Sequence, residues 1–184
     1  CGDNLFTSLD ITENTLLINL YCHDNKLTAL DVSAQQALRI LVCTTNLLTD
    51  LDVSENPALY QLACDNNHLT TLDVSENPAL NMMGCSNNQL TALDITANSA
   101  LEWLNCDLNQ LTALNTSANT NLKRLLCNGN SLTSLDLKSN PKLMWVDCSD
   151  NLIVSLDLTG NTELIQLDIK NMPSLNSVCV AETP

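Results

Sequence analysis

Apolar residues recur along this chain with a period of 21 residues. One coil of the repeat has the pattern L-x-x-L-x-C-x-x-N-x followed by L-T-x-L-D-V-S-x-N-x-x. The coils that begin at Leu17 and Leu122 both fit this pattern. A fixed period of about 20 to 50 residues is typical of a solenoid, in which each repeat packs only on its neighbours.

Each coil contains the same short pattern twice. L-x-x-L-x-C and L-x-x-L-D-V both place their last two apolar positions two residues apart, which predicts a short β-strand with one buried face. An asparagine, or Gln35 in one coil, follows each predicted strand, and asparagine suits tight turns because it tolerates left-handed backbone. We therefore expect a β-rich solenoid: a right-handed stack with parallel sheets, one strand in each half-coil and few or no helices.

The repeat predicts a single domain over residues 1–184. A partial first coil takes residues 1–16, and a short C-terminal coil takes residues 164–184. The complete coils begin at Leu17, Leu38, Leu59, Leu80, Leu101, Leu122 and Leu143. Near the end of the chain, a strand over residues 175–180 is expected to point Val178 and Val180 inward and Cys179 outward.

Eight of the nine cysteines share one position of the repeat: Cys1, Cys22, Cys43, Cys64, Cys85, Cys106, Cys127 and Cys148. A straight column cannot converge four sulfurs on a tetrahedral zinc ion, and no C-x-x-C pair is present. Disulfides between coils stay open as an alternative, although a strand spacing of about 4.8 Å exceeds the Cβ separation that a bridge prefers. We expect a cysteine ladder in the core, packed as small hydrophobic side chains.

These residues resemble the bacterial leucine-rich repeat proteins with 21-residue, cysteine-containing coils, the class seen in internalin J and in secreted proteins of Bacteroides-type bacteria. The wording LDVSENPAL, followed by L-x-C-x-N-N, carries the resemblance, which covers nearly the whole chain. It implies an extracellular binding or adhesion module, secreted or at the bacterial cell surface, without shared catalytic residues. Cys1 followed by Gly2 also fits the lipid-modified start of a bacterial lipoprotein, which leaves lipoprotein anchoring open.

Charge narrows the choice of partner. The chain carries 21 acidic against 7 basic residues, a formal charge of −14, which makes nucleic acid and anionic membrane poor partners. No apolar run is long enough for direct membrane insertion, and no basic leader precedes an apolar stretch, so we interpret the chain as mature or trimmed.

A column of aspartates repeats in the second half-coil: Asp10, Asp31, Asp52, Asp73, Asp94, Asp136 and Asp157, with Asn115 in one coil. Carboxylates at strand spacing suit calcium, but the glycine-rich wording of calcium-binding β-rolls is missing. Hydrogen bonds to nearby Ser and Thr hydroxyls or turn N–H groups are a sufficient reason for the column. We expect no metal and no other cofactor.

The outward positions of the first strand vary, whereas its inward positions repeat. This face carries both tryptophans, both tyrosines and both arginines of the chain, residue types that interface cores enrich. Trp103, Arg124 and Trp145 occupy equivalent positions one coil apart, so we expect the guanidinium to lie between the two indoles. The candidate ligand-binding residues are Tyr60, Met82, Trp103, Lys123, Arg124, Met144, Trp145 and Asp147.

These observations favour a non-enzymatic module that binds a protein of a host or microbial surface through the variable face. A carbohydrate-binding module that uses Trp103 and Trp145, and a structural spacer, are the alternatives. Catalysis has no support in the sequence, because His23 and His68 lie on different coils and no serine or cysteine stands at matching offsets. We predict no catalytic residues.

Overall fold

The first half of successive coils forms three-residue strands that pair side by side. In the computed structural model, which describes residues 1–180, eight parallel strands make one sheet in the order β1-β2-β3-β4-β5-β6-β7-β9. The strands are β1 (Asn19–Tyr21), β2 (Ile40–Val42), β3 (Gln61–Ala63), β4 (Met82–Gly84), β5 (Trp103–Asn105), β6 (Arg124–Leu126), β7 (Trp145–Asp147) and β9 (Gln166–Asp168). Residues 181–184, the end of the predicted coil 164–184, lie outside the described residues.

The register of the sheet pairs equivalent residues of successive coils. Trp103 pairs with Arg124, and Arg124 pairs with Trp145, without a slip from β1 to β9. Because side chains alternate between the two faces of a strand, this register turns each position of the repeat into a straight column.

Within residues 1–180, the second half-coils form strands at one place only. There, β8 (Ser155–Leu158) pairs in parallel with β10 (Ser177–Val180). The expectation of one strand in every half-coil is therefore wrong. Elsewhere the second half-coil uses single backbone bonds between coils, such as that from His68 N–H to Leu48 O at 2.8 Å, while asparagine side chains bind further carbonyls. The predicted fold class itself is confirmed: a solenoid of parallel strands, without helices in residues 1–180, with cysteines stacked in its core.

Cysteine and leucine ladders form the core. The seven cysteines from Cys22 to Cys148 in the ladder are buried and free, as expected of small hydrophobic side chains. Cys1 and Cys179 are exposed, so Cys179 points outward as predicted. Val180, however, is 61% exposed rather than inward, because no further coil covers this end of the stack within the described residues.

The asparagines after the first strand do more than form turns. Their side chains are buried and bind backbone groups of two coils: Asn46 donates to Cys22 O at 3.0 Å and to Cys43 O at 3.1 Å. Its Oδ1 accepts the N–H of Leu27 at 3.0 Å. The left-handed conformation belongs to the preceding residue instead, as at Thr45 with φ of 54°. Asparagine is therefore selected here for its amide, which satisfies buried backbone groups.

No helix that is long and apolar enough to cross a membrane occurs in residues 1–180.

Candidate functional site

The variable face of the sheet brings most of the predicted site residues together. Met82, Trp103, Arg124 and Trp145 stand at the first position of four neighbouring strands and are paired in register. All four are partly buried, so one side of each side chain faces solvent and the other side packs against its neighbours. The row exists because the repeat places one variable outward residue at this point of every coil.

Arg124 stacks on one tryptophan. Its guanidinium carbon lies 3.7 Å from the ring centroid of Trp145, well within the range of a cation–π contact. No such contact with Trp103 forms in residues 1–180, so the expected sandwich between two indoles is only half realised. The stack buries Arg124 Nε and Trp145 Nε1 without a hydrogen-bond partner, a cost that the cation–π contact helps to offset.

A shallow depression of about 430 Å³ lies beside this stack. Its walls are Asn81, Met82, Glu102, Trp103, Lys123 and Arg124. Lys123 Nζ donates to Glu102 Oε2 at 2.8 Å across neighbouring coils, and this bond lowers the pKa of Glu102. Because both side chains are exposed, the pair is weak and available to a partner.

The other predicted residues lie around this centre. Tyr60 is 41% exposed, and its hydroxyl donates to Asn81 Oδ1 at 3.0 Å, at one end of the depression. Met144 is 40% exposed at the other end, beside Trp145. Asp147 lies on the opposite side of the tryptophan row, where it accepts the N–H of Ser149 at 3.0 Å.

Two acidic residues of this face were missed by the sequence reasoning. Asp65 and Asp107 directly follow ladder cysteines, outside the outward strand positions on which the prediction was based. Asp65 Oδ1 accepts Ser86 Oγ at 2.7 Å, and Asp107 Oδ1 accepts the N–H of Asn128 at 2.7 Å. The sequence contains a feature that could have identified them: the residue after each ladder cysteine varies from coil to coil, as the outward strand positions do.

Burial raises the pKa of Asp107 to about 6. The bond from the Asn128 N–H and the charge of Arg124 lower this pKa, whereas the nearby charges of Asp147 and Asp65 raise it further. Near neutral pH the face therefore holds a carboxylate whose charge is poorly compensated.

The repeating columns show no comparable chemistry. Burial raises the pKa of the Cys22 thiol to about 11 and that of Cys148 to about 12, so these cysteines are poor nucleophiles. In the aspartate column, Asp31 Oδ1 accepts Ser33 Oγ at 2.7 Å and Ser33 N–H at 2.9 Å, which lowers its pKa. These are the local bonds that the sequence suggested for that column.

Among the described residues, one group of possible metal ligands stands at the N-terminal end. The donor atoms of Asp3, His23 and Asp24 lie within 4.8 Å of one another, and His23 Nδ1 is 2.9 Å from Asp24 Oδ2. The group is open to solvent, and the His–Asp hydrogen bond already accounts for two of its members. That the chain needs no metal stays a prediction.

No protein-family model matches the chain, and no curated protein sequence matches it either. Similarity is found among solved structures. The functional domain of InlJ from Listeria monocytogenes, which includes a cysteine ladder, is 32% identical over 96% of this chain and 49% of its own, with a TM-score of 0.66. A leucine-rich repeat protein of Leptospira interrogans is 23% identical over 90% of this chain and 46% of its own, with a TM-score of 0.83.

A third structure is that of the LRIM1/APL1C complex. It is 21% identical over 91% of this chain and 37% of its own, with a TM-score of 0.68. The chain thus spans about half the length, or less, of each of these three solved proteins. The predicted resemblance to bacterial leucine-rich repeat proteins with cysteine-containing coils is confirmed, because the ladder, the coil length and the fold all agree with the Listeria domain.

Proposed function

We propose that this chain, a leucine-rich repeat protein with a cysteine ladder, is a non-enzymatic module that binds a protein partner through the variable sheet face. The in-register row from Met82 to Trp145 is the observation that carries the proposal. Large side chains at the centre of a rigid sheet bind with little loss of conformational entropy, and Trp and Arg dominate measured interface energies.

The comparisons support the binding role at the level of the fold. One similar structure is that of a complex between two proteins, LRIM1 and APL1C. Leucine-rich repeat proteins use an extended concave sheet for such contacts. We place the module outside the bacterial cell, secreted or attached to the surface, as its likeness to the Listeria domain suggests. Tyr60, Lys123, Met144 and Asp147 complete the proposed site around the central row.

A carbohydrate-binding role has less support from the geometry. Sugar rings stack on exposed aromatic faces, but Arg124 covers a face of Trp145, and Trp103 and Trp145 are both partly buried. Protein binding is therefore the function that this face favours.

The test is capture of host and microbial cell-surface proteins by the double variant Trp103→Ala, Trp145→Ala. We expect at least a tenfold loss of affinity for the captured protein, since truncated interface aromatics commonly cost about 2 kcal/mol or more. Circular dichroism and urea unfolding show whether the variant keeps its fold.

Leu152→Ala is the matched control, because Leu152 is 44% exposed but lies away from the variable face. Unchanged capture by the tryptophan variant would contradict the proposal and would favour the spacer alternative. Loss of binding on a glycan array, with protein capture intact, would favour the carbohydrate alternative.

A further inference from the structure

A strip of small side chains runs beside the tryptophan row. Ala63, Gly84 and Asn105 stand at the last positions of β3, β4 and β5, directly paired in register. On one side of the strip rise Met82 and Trp103. On its other side lie the residues that follow the ladder cysteines. The strip is therefore a shallow trough with an aromatic wall and a polar wall.

Carboxylates line the polar wall. A Cβ added at Gly84 would lie 2.5 Å from Asp65 Oδ2, so the absence of a side chain at Gly84 lets Asp65 lie over the trough. Asp107 stands on the same wall two coils further along, and Asp147, the last residue of β7, lies beside this wall in the column of the strip itself. All three aspartates are partly buried. We call Asp65, Asp107 and Asp147 the acidic wall.

The chain's own cations form no salt bridge with the acidic wall in the described residues, although the charge of Arg124 lowers the pKa of Asp107. In residues 1–180, no Lys or Arg nitrogen lies within salt-bridge distance of these three aspartates. Lys123 is held by Glu102 at 2.8 Å, and the guanidinium of Arg124 is stacked on Trp145. The carboxylates use hydrogen bonds from Ser86, Asn128 and Ser149, which leave other oxygen lone pairs free.

We propose that the acidic wall receives a basic side chain, Lys or Arg, of the protein partner, while the depression beside Trp103 takes an apolar or aromatic neighbour on the same segment. The inference rests on the function proposed above and specifies the chemistry of the partner. Charge complementarity carries it: three partly buried carboxylates without a salt bridge in the described residues attract a basic group and repel an acidic one. The net charge of −14 steers basic partners to the molecule in the same sense.

The titration of Asp107 should make the binding of a basic group depend on pH. The titratable and charged groups around it are Asp65, Asp147, Arg124, Cys106 and Cys127. Since burial and the two aspartates raise the pKa of Asp107 to about 6, this carboxylate loses its charge as the pH falls through about 6. Binding of a basic group is therefore expected to weaken between about pH 7.5 and pH 5.

Four synthetic peptides test the inference. They share an acetylated and amidated Gly-Tyr-Gly-X-Gly-Tyr-Gly frame and carry Arg, Lys, Gln or Glu at X. Amide chemical shifts of the isotope-labelled protein report binding at about pH 7.5. We expect the Arg and Lys peptides to shift the amides of Gly84, Asn105 and Asp107, and to bind at least about fivefold more tightly than the Gln and Glu peptides.

Three variants separate charge, placement and net charge. Asp107→Asn with Asp147→Asn removes charge from the acidic wall, and Gly84→Ala displaces the Asp65 carboxylate without a change of charge. Both variants should bind the Arg peptide about threefold more weakly, or worse, than the unchanged protein does. Asp136→Asn is the control, because its column already contains Asn115, and it should leave the affinity unchanged. The pH dependence should shrink when Asp107 is Asn.

Failure of the basic-group contact can be distinguished from failure of the proposed protein binding. Equal binding of all four peptides, or no binding of any, overturns the inference, as does an Arg peptide that is insensitive to the acidic-wall variants. If the captured partner depends on Trp103 and Trp145 but ignores Asp107 and Asp147, protein binding stands and the basic contact falls. If capture ignores the tryptophans, the proposed function itself falls.

Discussion

The residue before each asparagine that follows a first strand has left-handed backbone: Asp3, Asp24, Thr45, Asn66, Asn87, Leu108, Gly129 and Asp150. Asn171, at the equivalent position of the last coil, is also left-handed, but there Met172 replaces the asparagine. Gly, Asn and Asp tolerate this conformation best, and most coils use one of them. Thr45 and Leu108 do not belong to these types, so they hold φ values of 54° and 53° at an energetic cost. The stacked coils on either side impose the conformation on them.

We therefore predict that Leu108→Asn stabilises the protein by about 1 kcal/mol. Leu108 is 56% exposed, so little hydrophobic burial is lost, and Asn already occupies this position in two earlier coils. The midpoint of urea unfolding measures the effect. Leu152→Asn is the control, since Leu152 is similarly exposed but not left-handed, and it should not stabilise. A lower midpoint for Leu108→Asn would contradict the argument.

At the scale of elements, two asparagine ladders hold the coils together, and they differ in how completely they are satisfied. In the ladder after the first strand, Asn88 donates to Cys64 O and Cys85 O at 3.1 Å, and its Oδ1 accepts the N–H of Leu69 at 2.9 Å. In the second ladder, Asn98 donates to two carbonyls at 2.9 Å, but its Oδ1 is buried without a partner.

One coil repairs this defect. The hydroxyl of Thr116, which replaces the usual Val, Ile or Leu, donates to Asn140 Oδ1 at 2.8 Å. Accordingly, Asn140 Oδ1 has a partner, while the oxygens of Asn77, Asn98 and Asn119 have none. The second ladder therefore contributes less to stability for each asparagine than the first.

We predict that Asn88→Ala costs more stability than Asn98→Ala. Asn88→Ala leaves a buried N–H donor and buried carbonyl acceptors without partners, which should lower the free energy of unfolding by about 3 kcal/mol. Asn98→Ala leaves only carbonyls without a partner and also removes an unpaired oxygen, so it should cost about 1 to 2 kcal/mol. Equilibrium urea unfolding of the two variants checks the ranking. An equal cost for both changes would show that the Oδ1 bond to Leu69 N–H adds nothing.

At the scale of the whole molecule, coils touch only their neighbours, so position along the stack decides how much a residue is buried. Leu104 and Leu167 occupy the same position of the repeat, yet Leu104 is fully buried in β5 while Leu167 is only partly buried in β9. Stability in such a stack is a sum over coils and the interfaces between them.

Leu104→Ala should therefore destabilise the protein by about 3 to 5 kcal/mol, because it leaves a cavity between two coils that cannot close. Leu167→Ala should cost about 1 to 2 kcal/mol, since solvent reaches the space it leaves. The free energy of unfolding in urea compares the two directly. Equal costs would indicate that the end of the stack is as well covered as its centre.

The sequence by itself determined the fold class, the coil length and the columns. A 21-residue period with alternating apolar positions leaves one arrangement that buries Leu20, Cys22 and their equivalents and places the row from Met82 to Trp145 on the outward face. These properties follow from steric alternation and burial, which any coil shares with its neighbours.

The tertiary structure alone decided what lies between the columns. It leaves most second half-coils without strand pairing, stacks Arg124 on Trp145 rather than between two indoles, and brings Asp65 over Gly84. Each outcome depends on side-chain rotamers and hydrogen bonds between residues of different coils that do not repeat. A periodic pattern carries no information about such contacts, because they arise from the positions at which the coils differ.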